Sequence, residues 1–132
     1  MSNHQYPIDL SISRDFEHIN LSVAKDFEHM LQEFIKFEYL MRKKKWPDAK
    51  NGLLWTTTEV AEAIELLMQR DGDWTRNNPE NKKEFTKARL ERELGDIIWM
   101  ALVVGIVEDV NPISGMISKA LEKIDKSRIL GD

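Results

Sequence analysis

The chain has 132 residues, 42% of them hydrophobic and 32% charged, with a net charge of −4 and a pI near 5.4. That balance suits one folded domain and excludes a disordered chain. The acidic excess argues against binding a nucleic-acid polymer through a broad basic surface. With no cysteine, disulfides, cysteine-ligated zinc and thiol catalysis are excluded.

The first seven residues lack the basic and apolar segments of a secretion signal. The longest apolar run, Ile97 to Val107, is interrupted by Gly105 and is too short to cross a bilayer. A cytoplasmic protein without membrane association is the default expectation. Residues 1–20 are mostly polar. Ile8, Leu10 and Ile12 alternate with Asp9 and Ser11 over too few positions for a strand, so an arm or short helix is expected there, ahead of one domain over 21–132.

Phe27, Leu31, Phe34, Ile35 and Leu40 recur at helical spacing and predict a first helix from about Ser22 to about Lys45. Ser22 suits its N-cap, and Lys43, Lys44 and Lys45 suit the negative end of its dipole. Trp46-Pro47-Asp48 breaks the pattern. A second helix is expected from about Gly52 to Arg70, closed by Asp71-Gly72-Asp73. The turn at Asn77-Asn78-Pro79 is expected to cap a third helix, from about Glu80 to about Asp109, which Asn111-Pro112 closes. The fourth runs from Pro112 to Arg128, with Ile113, Ile117, Leu121 and Ile124 on one stripe and Lys119, Lys123 and Lys126 on the opposite one. No segment alternates with a period of two, so the fold class is all-α, a four-helix bundle. The apolar second half of the third helix, Trp99 to Val107, is too hydrophobic for one face of a lone bundle, which suggests burial against several neighbours, another subunit among them.

Two acidic pairs stand out, Glu59-Val60-Ala61-Glu62 and Glu93-Leu94-Gly95-Asp96. The i, i+3 spacing puts both carboxylates of a pair on one helix face, about 60° apart around the axis. Each pair is embedded in apolar residues, where an uncompensated charge is costly. Four carboxylates on two packed helices repel: a like pair about 4 Å apart costs on the order of 4 kcal/mol at an effective dielectric of about 20. A divalent cation reverses that sign, and an all-oxygen ligand set points to Mg2+, with Mn2+ as the alternative.

These residues resemble the signature of the MazG-type nucleoside triphosphate pyrophosphohydrolases, an E-x-x-E motif followed by E-x-x-D. Here 30 residues, 63–92, lie between the motifs, a slightly long interval that suggests an extra loop at Asp71–Pro79. Lys50-Asn51-Gly52-Leu53 is similar to the basic-Asn-x-Leu lead-in of the dCTP pyrophosphatase branch, and Trp46 to the tryptophan before it. The basic last helix, with Lys119, Lys123 and Arg128, resembles the family's closing helix. The likeness covers residues 25–128.

The resemblance implies a four-helix MazG-like bundle completed by oligomerisation, as a homodimer or homotetramer. It implies hydrolysis of a nucleoside triphosphate to the monophosphate and pyrophosphate, in the service of nucleotide-pool housekeeping. Glu59, Glu62, Glu93 and Asp96 would be both metal ligands and catalytic residues. Lys50, Trp46, Lys119, Lys123 and Arg128 would contact substrate. Which carboxylate orients or deprotonates the attacking water stays open.

Other readings compete with this one. A non-catalytic helical interaction module keeps the fold without turnover, and a phosphoribosyl-nucleotide hydrolase keeps the chemistry with another substrate. The lysine stripe of the fourth helix is equally a solubilising face. Trp55 and Trp99 fall in helical apolar patterns and read as core, whereas Trp46 and Trp74, in loops or at helix ends, can stack on a nucleobase or staple a loop. No histidine stands in an E-x-x-H pattern with a motif acid, which weakens a ferritin-like di-iron reading.

Overall fold

The computed structural model describes residues 21–72 and 84–130, the last three by their backbone alone. These residues form four helices and no strand: α1 Leu21–Met41, α2 Ala49–Arg70, α3 Lys87–Glu108 and α4 Pro112–Leu130. Among the described residues the expected all-α class and four helices are found. The expected arm over residues 1–20, most of the loop at Asp71–Pro79, and Trp74 lie outside the described residues.

Local chemistry moves three helix boundaries from their expected places. Helix α1 stops at Met41 because Lys43 adopts a left-handed conformation, φ 54°. The Lys44 N–H then returns to the Tyr39 carbonyl at 3.0 Å and the Lys43 N–H to the Leu40 carbonyl at 3.2 Å, the paired bonds of a Schellman end. Helix α2 starts three residues before Gly52, since Asp48 is its N-cap and accepts the Lys50 N–H at 3.0 Å. Helix α3 starts at Lys87, later than expected. Thr86 is extended there, and its hydroxyl accepts the Arg89 N–H at 3.1 Å, which caps the helix.

Helices α2 and α3 run antiparallel. Ascending α2, Gly52 sits against Met100 and Val104, Glu59 against Asp96, and Leu66 beside Arg89. Close approach is permitted at Gly52, where a Cβ would lie 3.1 Å from Val104 Cγ2 and 3.2 Å from Met100 Sδ. Helix α1 packs on α4 and on α3, not on α2. Its Ile35 and Tyr39 form the core with Leu102 and Val103, and Leu31, Trp99, Met100, Ile106 and Ile113 pack around them. The apolar end of α3 therefore buries largely within the chain.

The α3–α4 corner bends by 105°. Asp109 turns it in a left-handed conformation, φ 56°, and the Val110 N–H returns to the Gly105 carbonyl at 2.9 Å. Gly105 is required here, because a Cβ would meet Pro112 Cδ at 2.7 Å and the Val110 carbonyl oxygen at 2.8 Å. Beyond the corner, Ile113, Ile117 and Leu121 are half-buried while Ile124 is exposed. No single helix among the described residues is long and apolar enough to cross a membrane.

The helical spacing of α1 does not translate into a single buried face. Leu31 and Ile35 turn inward, but Phe27, Phe34 and Leu40 are exposed. The period of 3.6 marks the helix correctly, yet this helix carries more apolar residues than a single face can bury.

Candidate functional site

The antiparallel register of α2 and α3 brings the two acidic pairs to the same level. Oxygens of Glu59, Glu93 and Asp96 all lie within 4.8 Å of one another, with Glu59 and Glu93 half-buried and Asp96 exposed. Glu62 lies close enough to Glu93 to hydrogen-bond to it when one of the two is protonated. The four acids therefore converge, as their spacing predicts.

Glu93 is the centre of the group. Burial, then hydrogen bonds to Glu59 and Glu62, then the charges of those two neighbours, raise its pKa to about 7. A carboxyl in this setting keeps its proton in mild acid, because ionising it adds a charge among others in a poorly solvated place. Its Oε2 is buried and has no hydrogen-bond partner among the described residues. A buried acceptor left this way costs roughly 1–3 kcal/mol, and a cation removes that cost together with the repulsion. An octahedral magnesium shell with bonds of about 2.1 Å spaces its ligands roughly 3–4 Å apart, so a small contraction of the three oxygens suffices. The hard donor set fits Mg2+ or Mn2+.

Two clefts meet at Asp96. One, of about 440 Å³, has aromatic walls: Tyr39, Trp55 and Trp99 line it with Thr56, Lys44 and Lys45, and Glu59 and Asp96 form its acidic edge. The other, of about 290 Å³, is lined by Arg89 and Arg92 together with Glu93, Asp96 and Leu66. The acids thus divide an aromatic slot from an arginine slot. Arg89 is anchored by donating to the Glu84 carbonyl at 2.7 Å. Lys44 reaches its place through the left-handed turn at Lys43. Its ammonium lies 2.8 Å from Glu38 Oε1 and 5.0 Å from the centre of the Tyr39 ring, and it holds the Glu38 carboxyl below the usual carboxylate range.

The residues expected at a substrate site are distributed differently. Trp46 stacks on Tyr39, with rings 4.0 Å apart and 6° from parallel. It lines a third hollow on the far side of Tyr39, with Lys36, Lys43 and Lys44. Lys50 is exposed in the first turn of α2 and lines none of these three clefts. Lys119 and Lys123 are exposed on α4, which packs on α1 and α3 but not on α2. The Arg128 side chain is outside the described residues. Trp99 is half-buried against the core, as its pattern suggests, but Trp55 is exposed and forms a wall of the aromatic cleft.

The sequence reading passed over Arg89, Arg92, Lys44, Lys45 and Tyr39. A signal existed for the arginines: Arg89 precedes Glu93 by four residues and Arg92 precedes Asp96 by four, which places each on the face of a motif acid. No signal exists for Lys44, whose position depends on a turn that no glycine announces.

No protein-family model, curated protein or solved structure matches the chain.

Proposed function

We propose that this chain is a divalent-cation-dependent hydrolase of (deoxy)nucleoside triphosphates, yielding the monophosphate and pyrophosphate, as the MazG-type resemblance implies. The observation that carries the reading is the buried, unpartnered Oε2 of Glu93 among three further acids on two facing helices. Glu59, Glu93 and Asp96 would hold the cation, with Glu62 beside them. When bound, Mg2+ or Mn2+ supplies charge neutralisation to the phosphates and acidity to a coordinated water.

The chain's own residues account for the rest. Trp55 and Trp99 offer flat apolar walls for a nucleobase, and the Thr56 hydroxyl, which donates to the Gly52 carbonyl at 3.0 Å, offers an acceptor oxygen. Arg89 and Arg92 offer planar donors for the phosphate groups, on the opposite side of the acids. A substrate with an aromatic end and a polyanionic end matches the order aromatic slot, acids, arginine slot. A second copy of the chain and a nucleotide-pool role in the cytoplasm belong to the same reading.

The test is pyrophosphate release from a panel of nucleoside triphosphates, with and without Mg2+. Magnesium-dependent release of pyrophosphate and a monophosphate supports the proposal, with turnover lost in Glu59→Gln and Asp96→Asn at unchanged helicity. Release from a phosphoribosyl nucleotide alone supports that narrower hydrolase. The absence of turnover and of any thermal shift with Mg2+ and nucleotide supports the non-catalytic helical module.

A further inference from the structure

The hollow behind Tyr39 differs from the two clefts at the acids. It holds about 590 Å³, a volume typical of small-molecule sites, and three lysines line it, Lys36, Lys43 and Lys44. No carboxylate among the described residues does so. Its other walls are apolar: Ile106, and the Trp46 ring that stacks on Tyr39. Trp46 stays 41% exposed in that stack.

The positive charge here is only partly compensated. Lys36 lies 3.2 Å from Glu33 Oε1, and Lys44 lies 2.8 Å from Glu38 Oε1, which Arg42 also meets at 3.3 Å. Over residues 33–45, Lys36, Arg42, Lys43, Lys44 and Lys45 stand against only those two acids, on a chain whose net charge is −4. Lys43 has no ion-pair partner among the described residues.

Compensation of the helix dipole does not account for Lys43. The paired bonds at the end of α1 already occupy the Tyr39 and Leu40 carbonyls, and Arg42, Lys44 and Lys45 supply positive charge there. Position 43 has φ 54°, where glycine is the least strained residue. A lysine at that position gives up stability and sets an unpaired cation at the hollow.

We infer that this hollow binds a planar organic phosphate, at a place separate from the acidic site. Ammonium groups only donate, so the ligand must present acceptors, and several of them around one hollow favour the double charge of a phosphate monoester. A bare inorganic ion would leave the indole and Ile106 uncovered and most of the volume empty. A flat ring joined to the phosphate covers the exposed part of the indole while the phosphate meets the lysines. Tyr39 stands between this hollow and the aromatic cleft and lines both. Neither the cation nor the hydrolase reading is needed for this inference.

Calorimetric titration of AMP into the full chain in EDTA tests it, with adenosine and inorganic phosphate as separate titrants. AMP is expected to bind at one site, at least about tenfold more tightly than either fragment. Lys43→Gly should weaken AMP binding at least about tenfold, the loss of one charge-assisted contact, with helicity kept because glycine suits that backbone. Trp55→Ala and Arg92→Ala, in the two clefts at the acids, should leave AMP affinity unchanged. The absence of saturable AMP binding overturns the inference. So does either fragment binding as tightly as AMP, and so does AMP binding that survives Lys43→Gly. Loss of AMP binding in Trp55→Ala or Arg92→Ala also overturns it, because the nucleotide then occupies the clefts at the acids.

Discussion

Glu28 caps α4 from the middle of α1: its Oε1 accepts the backbone N–H of Ser114 at 3.1 Å and the Ser114 hydroxyl at 2.9 Å. Its Oε2 accepts the Ile113 N–H at 2.6 Å. The side chain is almost fully buried, so the carboxylate exchanges water for the free N–H groups and positive pole of a helix start. Glu28→Ala should destabilise the fold by about 3 kcal/mol, since it strips several charge-assisted bonds and leaves buried donors unpaired. Glu28→Gln should also be destabilising, because an amide has one acceptor oxygen where the carboxylate uses two. Denaturant unfolding followed by circular dichroism checks both.

The Glu93 carboxyl makes stability depend on pH in an unusual sense. Its pKa is near 7 in the fold against 4.5 in the free side chain. Between those values the folded chain holds a proton that the unfolded chain has lost, so the metal-free fold weakens as pH rises from about 4.5 to about 7. Glu93→Gln should flatten that slope and raise the melting temperature of the metal-free protein at neutral pH. Adding Mg2+ or Mn2+ should reverse the slope, because the cation binds the ionised form and displaces about one proton in mild acid. Melting temperature against pH, with and without metal, reads all three effects.

Gly105 holds the corner between α3 and α4, with Pro112 and the Val110 carbonyl inside the space a Cβ would take. Gly105→Ala should cost roughly 1–3 kcal/mol by forcing the corner open. Lys43 gives the opposite case. It takes a left-handed conformation without being glycine, so Lys43→Gly should stabilise by about 0.5–1 kcal/mol as the strain is relieved. Chemical denaturation of the two variants separates the two signs.

Trp55 distinguishes a wall of the site from a core residue. Because it is exposed, Trp55→Ala should change stability by no more than about 0.5 kcal/mol. It should raise KM for the triphosphate roughly tenfold, the loss of about 1.4 kcal/mol of stacking. Arg92→Ala should raise KM for the triphosphate while leaving the affinity for Mn2+ alone intact. Steady-state kinetics beside metal titration shows whether base, phosphate and metal functions divide along the two clefts.

The acidic site was legible in the sequence for a definite reason. An i, i+3 pair fixes a face within one helix, and two such pairs in apolar surroundings require their helices to meet. Helix α4 was legible from Pro112, and the class from the absence of two-residue alternation. The rest depended on relationships that cross the chain. Glu28 looks like any surface acid until α4 arrives 85 residues later. The turns at Lys43 and Asp109 use left-handed residues that are not glycine, so the end of α1 and the place of Lys44 were hidden. Trp55 and Phe34 match an apolar period, yet period alone does not say which of two apolar faces is covered.

Whether the facing acids of α2 and α3 hold a cation is decided by calorimetric titration of Mn2+ into the metal-free protein. Saturable binding accompanied by proton release below pH 7 is expected, abolished by Glu59→Gln and by Asp96→Asn while helicity is kept. Binding that is absent in the wild type, or that survives both substitutions, would contradict it.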